Sequence, residues 1–135
     1  MSNSRPVVVH PEQEMAEPAL GTERRHFFDP DGRWIGWAGW IKNDAGDVSG
    51  WHHHADNETY VSVIRGSVTT DFGPGGGESI VARAGDFFVV PSRTIHRETT
   101  SRDADLGAAS RRRSAPRVRS QRKAEVQGGR FRLPD

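Results

Sequence analysis

Three consecutive histidines, His52, His53 and His54, are followed four residues later by an acid, Glu58, and forty-two residues after His54 by a further histidine, His96, just beyond a Gly-to-Pro turn. Imidazole nitrogens and a carboxylate are metal-ligating groups. Neutral imidazole suits zinc, copper, iron and nickel. Alternate residues of an extended strand point to the same face. If 51–54 is extended, His52 and His54 aim one way and His53 the other, and His96 from a second strand could close a third bond. A single histidine is usually a surface residue. A His-x-His pair with an acid nearby and a third histidine at a turn is far more specific, so metal binding is the reading to carry forward.

Strands must position these groups. The stretch RWIGWAGWIKN from Arg33 is rich in aromatic and branched residues, with Gly36 and Gly39 weakening it or marking a bulge. The histidine segment, 58–65 (ETYVSVIR), 67–72 (SVTTDF), SIVARA, FFVVP and 94–99 follow as further short strands. Asp44-Ala45-Gly46-Asp47, Ala55-Asp56-Asn57, Gly66, 73–79 (GPGGGES) and Gly85-Asp86 separate them as turns. No helical periodicity of useful length precedes residue 101. Strands and turns at this spacing predict an all-β barrel or sandwich. The glycine-rich loop 73–79 lacks the Gly-Lys-Ser/Thr ending of a phosphate loop and does not lead into a helix, so it reads as a hairpin connection. Trp34, Trp37 and Trp40, spaced by three, read as sheet packing with a share in a pocket wall or dimer contact. Trp51, Phe87 and Phe88 are expected in the core or over the barrel mouth.

The 135 residues allow one domain with flanks, and a hydrophobic fraction of 33% with a mean hydropathy of −0.73 restricts the packed part to roughly 33–96. No apolar run approaches the ~18 residues of a membrane span, and the first residues carry no apolar secretory core. Cysteine is absent, which excludes disulfides and thiolate ligands and fits the cytoplasm. Charge is uneven: residues 1–100 carry 9 basic and 14 acidic side chains, residues 101–135 carry 10 and 4. The expected organisation is an irregular N-terminal arm (1–30), a β-barrel core (31–101) and a basic, flexible tail (102–135).

Gly46, His52, His54, Glu58 and Gly66 together resemble the first motif of the cupin superfamily, G-x5-H-x-H-x3/4-E-x6-G. Gly85, Pro91 and His96 resemble its second, G-x5-P-x-G-x2-H-x3-N. The resemblance covers roughly 46–100 and is that of a small single-domain cupin. It implies an antiparallel jelly-roll β-barrel with a central divalent metal held by His52, His54, Glu58 and His96. Fe(II) or Mn(II) is favoured, with Zn, Ni or Cu also suited. Seven residues rather than six separate Glu58 from Gly66, and the six-residue spacing falls on Thr59. If Thr59 points inward, so do Val61 and Val63, and Glu58 points out. If Glu58 points inward, it shares its face with Tyr60, Ser62 and Ile64. The fourth ligand is therefore Glu58 or water, the latter as in some cupin thiol dioxygenases. Arg93 stands where the family has glycine and Thr100 where it has asparagine. Arg93 could turn inward to bind a substrate carboxylate, and Tyr60 is a second possible substrate contact.

The leading functional expectation is a metal-dependent enzyme acting on a small molecule, with dioxygenase chemistry first and isomerase or decarboxylase chemistry open. The alternative is a non-catalytic module that binds metal or a small metabolite. A homodimer is expected. The stretch 107–123 (GAASRRRSAPRVRSQRK) has seven basic residues and no acid. It could contact nucleic acid phosphates, but it has no interleaved aromatic for base stacking. A solvated tail is the plainer reading.

Overall fold

A computed structural model of the chain describes residues 5–13, 21–113, 125–127 and 130–132. The strands are β1 (Thr22–Phe28), β2 (Trp34–Asn43), β3 (Asn57–Phe72), β4 (Glu78–Arg83), β5 (Phe87–Val90) and β6 (His96–Arg112), with the short strands β7 (Glu125–Gln127) and β8 (Arg130–Arg132) paired separately. The main sheet is antiparallel in the order β1-β2-β6-β3-β4, and β5 pairs with β3 beside β4. The chain is all-β, as expected. Among the described residues β1 and β4 end the strand order unpaired with each other, so the barrel is not closed.

The two long strands organise the sheet. β3 and β6 pair from Asn57↔Arg112 to Phe72↔His96. β2 borders only the C-terminal part of β6, from Ala104 to Arg111. Beyond the turn at 44–47, the segment through Val48 and His52 takes over along Thr99 and His96. Val61, Val63, Val68, Ala82, Ala104, Leu106 and Ala108 form the buried core, against which Trp37, Ile41 and Phe88 pack. Trp37 and Trp40 take opposite faces, as their spacing predicts, and Trp40 is exposed. Phe87 and Trp51 are exposed rather than in the core; Trp51 lies under the Arg97 guanidinium at 4.8 Å.

Three expectations are corrected. Gly66 does not end a strand. At φ 83° it carries β3 through a region where the pairing with β6 shifts register, and a side chain there would run into the Asp103 carbonyl oxygen. The expected boundary at residue 101 falls inside β6, and the first residues of the expected basic tail, Arg102–Arg112, are its end. Ala104, Leu106, Ala108 and Ser110 alternate inward there and are buried. The remainder of the proposed nucleic-acid segment, 114–123, lies outside the described residues. Within the expected arm, 22–28 forms β1.

Candidate metal centre

His52 and His96 face each other as a hydrogen-bonded antiparallel pair: His52 N donates to His96 O at 3.0 Å and His96 N to His52 O at 2.9 Å. The segment 51–54 is not a full strand, yet its alternation holds. His52 and His54 turn to one side, with ring centroids 5.1 Å apart. His53 is exposed, and its Nδ1 accepts the Ala55 N–H at 2.9 Å. The His96 ring lies 4.3 Å from His52 and 4.9 Å from His54, centroid to centroid. One ring nitrogen of each of the three lies within 4.8 Å of the others, so His52, His54 and His96 could hold a metal ion.

Tautomers decide which nitrogens face inward. His52 Nδ1 lies 2.7 Å from the Gly50 carbonyl oxygen and His96 Nδ1 lies 2.8 Å from that of Thr94. A carbonyl only accepts, so both Nδ1 atoms carry hydrogen. Thr59 Oγ1 donates to Ser110 Oγ at 3.0 Å and lies 2.8 Å from His54 Nδ1. With its one proton given to Ser110, the Thr59 hydroxyl accepts from His54. In the neutral rings all three Nε2 atoms are therefore bare lone pairs. His96 is fully buried, and its Nε2 has no hydrogen-bond partner. Orphaned buried polar atoms are rare in folded proteins, and a cation among the three lone pairs would satisfy this one.

The protonation states follow. Burial, reinforced by the neighbouring His96 and His52, lowers the His54 pKa to about 4, with Arg24 pushing the same way and Glu98 opposing. Arg24 lies on β1, stacked 4.6 Å over Trp37. Burial also pulls His96 down, but the Glu98 carboxylate and the Thr94 carbonyl outweigh it and the net direction is up. Glu98 was missed in the sequence. It stands two residues after His96 on β6, and its Oε1 is 3.6 Å from His96 Nε2.

The other expected site residues lie elsewhere. Thr59, Val61 and Val63 are the buried face of β3. Glu58 consequently points to the opposite face, where Tyr60 Oη donates to it at 2.6 Å and Arg111, its cross-strand partner, lies 3.6 Å away. That hydrogen bond, with a little burial behind it, raises the Tyr60 pKa. Neither residue meets the histidine cluster. Arg93 pairs with Asp56 at 2.7 Å on the exposed turn, and its N–H donates to Ala55 O at 2.7 Å. Its φ of 58° is the left-handed conformation that glycine adopts freely. A surface hollow of about 590 Å³ is lined by Phe27, Trp40, Tyr60 and Phe87 and not by the histidines.

An open antiparallel jelly-roll sheet with three convergent histidines defines a small β-fold protein with a potential metal centre. The cupin domain family model matches residues 39–106, half of the chain, and the protein belongs to the cupin superfamily. Solved structures support the fold. A cupin-2 domain containing protein from Shewanella frigidimarina has 19% identity and a TM-score of 0.52 over 67% of this chain and 80% of its own. The Cnp3 cupin domain of Schizosaccharomyces pombe has 11% identity and a TM-score of 0.57 over 73% and 69%. KdgF from Halomonas sp. has 23% identity and a TM-score of 0.53 over 78% and 94%. No curated protein sequence matches the chain significantly. No helix among the described residues is long and apolar enough to cross a membrane.

Proposed function

We propose that this cupin is a metal-dependent enzyme acting on a small molecule, with His52, His54 and His96 as ligands through Nε2. The observation that carries the reading is that the three convergent rings each have Nδ1 within 2.8 Å of an oxygen outside the cluster. In the neutral rings that arrangement leaves the three Nε2 lone pairs for an ion. Fe(II) or Mn(II) is the favoured ion, with Zn, Ni or Cu also suited to imidazole. Such an ion with open coordination positions would supply Lewis-acid or dioxygen chemistry. The protein's own part is to fix the rings and hold His54 neutral.

Elemental analysis of protein purified without a metal-affinity tag, beside His54→Ala, tests the centre. Stoichiometric metal in the first and its loss in the second is the expected result; wild-type protein that takes up no divalent ion refutes it. Oxygen-uptake screening of loaded protein with small carboxylates then separates a dioxygenase from a redox-neutral enzyme or a non-catalytic binding module. A cytoplasmic location fits the cysteine-free sequence. The homodimer is supported by the outward face bearing Trp40, Phe87, Tyr60 and Ile64, all exposed. Loss of dimer mass in light scattering on Trp40→Glu is the expected result, and a wild-type monomer would remove that part of the proposal.

A further inference from the structure

We propose that Glu98 supplies the carboxylate of this metal centre, as a fourth protein ligand through Oε1, in the place that the displaced acid of the first motif leaves. The inference rests on the three-histidine reading above and extends it. His96 and Glu98 are two apart on β6, so they share a face. Ser49 holds both backbone polar groups of Glu98: the Glu98 N–H donates to Ser49 Oγ at 2.8 Å and its carbonyl accepts the Ser49 N–H at 2.8 Å. Its side chain is only 23% exposed and lies with Oε1 3.6 Å from His96 Nε2. Among the described residues His96 is the one ion-pair partner found for Glu98.

Two electron-rich atoms thus face each other at a separation beyond a good hydrogen bond. Their spacing is below twice the ~2.1 Å bond that zinc makes to imidazole nitrogen or carboxylate oxygen, so one ion of this class can touch both. A carboxylate against three neutral imidazoles also gives the centre a net charge opposite to the ion's, which three histidines and water would not. Glu58 cannot take this role without breaking its contacts to Tyr60 and Arg111 and turning Thr59, Val61 and Val63 outward.

The test is Zn²⁺ and Co²⁺ binding by calorimetry to metal-stripped full-length protein, for the wild type, Glu98→Gln, Glu58→Gln and His54→Ala. The visible absorption of the Co²⁺ forms gives a second measurement of coordination. Glu98→Gln should weaken both ions by at least about tenfold and change the Co²⁺ spectrum, while Glu58→Gln shifts affinity by less than about twofold and leaves the spectrum unchanged. Circular dichroism establishes that each variant is folded, and Glu98→Ser gives the same comparison if the glutamine variant is not. Wild-type affinity and spectrum in a folded Glu98 variant, with His54→Ala impaired, would overturn the role of Glu98 and keep the three-histidine centre. A wild type that binds neither ion would overturn both.

Discussion

Replacing Thr59 with valine removes one oxygen from the described structure and nothing else of comparable size. That oxygen sits between His54 Nδ1 at 2.8 Å and Ser110 Oγ at 3.0 Å, on a residue that is only 5% exposed. Water does not readily take its place at so buried a position. Each hydrogen bond contributes about 1 kcal/mol net, and a buried donor left without a partner costs about 1–3 kcal/mol. The apo-protein should therefore lose about 2–3 kcal/mol, a fall in Tm of roughly 6–12 °C for a domain of this size. The functional effect is separable from the stability effect. Thr59 fixes His54 as the Nδ1–H tautomer, and removing such an outer partner typically weakens metal binding by about 10–100-fold. Thr59→Ser keeps the hydroxyl and should retain most of the affinity. Thermal melts give the first quantity, competitive Zn²⁺ titration the second, and ¹⁵N chemical shifts of the His54 ring report the tautomer directly. Wild-type affinity and an unchanged His54 tautomer in Thr59→Val would refute the reasoning, because Nε2 would then be free for some reason other than the Thr59 hydroxyl.

Leu106 is 2% exposed on the inner face of β6, and Leu106→Ala should cost about 2–5 kcal/mol in denaturant unfolding; a loss below about 0.5 kcal/mol would mean that this stretch is surface, as its composition alone predicts. Arg93 has left-handed backbone and an exposed pair with Asp56, so Arg93→Gly trades about 1 kcal/mol of relieved strain for a pair of similar size. Metal affinity should not move, and a large drop in calorimetry would return Arg93 to the site. The folded His54 pKa of about 4 lies below the unfolded value near 6.5. The contribution of this ring to apo-protein stability is therefore full above 6.5 and is lost as pH falls toward 4. An NMR titration should show His54 neutral at pH 5.5, and an inflection above pH 6 would contradict that assignment.

The strands around the histidines were legible because turn residues punctuate branched and aromatic runs, and His52 and His54 were legible because period two needs no tertiary knowledge. The stretch from Arg102 to Arg112 was not. It contains Asp103, Asp105, Gly107 and three arginines, residues of poor strand propensity or of charged-tail composition. Its inward set is Ala104, Leu106, Ala108 and Ser110, too small and partly polar to register as an apolar alternation. Being flanked by β2 and β3, this strand is held by its neighbours and by the shape of the space between them. Nothing in its own residues announces that.

The acid of the site turns on a competition that the sequence poses and the packed sheet decides. The packed sheet buries Val61 and Val63 and leaves Tyr60 and Ile64 exposed; either face offers comparable apolar burial, so apolar area alone does not decide between them. The carboxylate decides: the alternative would draw Glu58 out of water together with Tyr60, and burying a charge costs far more than burying either apolar set gains. Parity therefore sends Glu58 out and Thr59 in, and Thr59 becomes the group that orients His54. The same parity applied to β6 gives the opposite result: His96 and Glu98 differ by two, so the register that buries the histidine brings an acid with it. A one-residue shift in the first motif thus leaves room for a carboxylate from the second, and the His-x-Glu spacing at 96–98 was the signal for it.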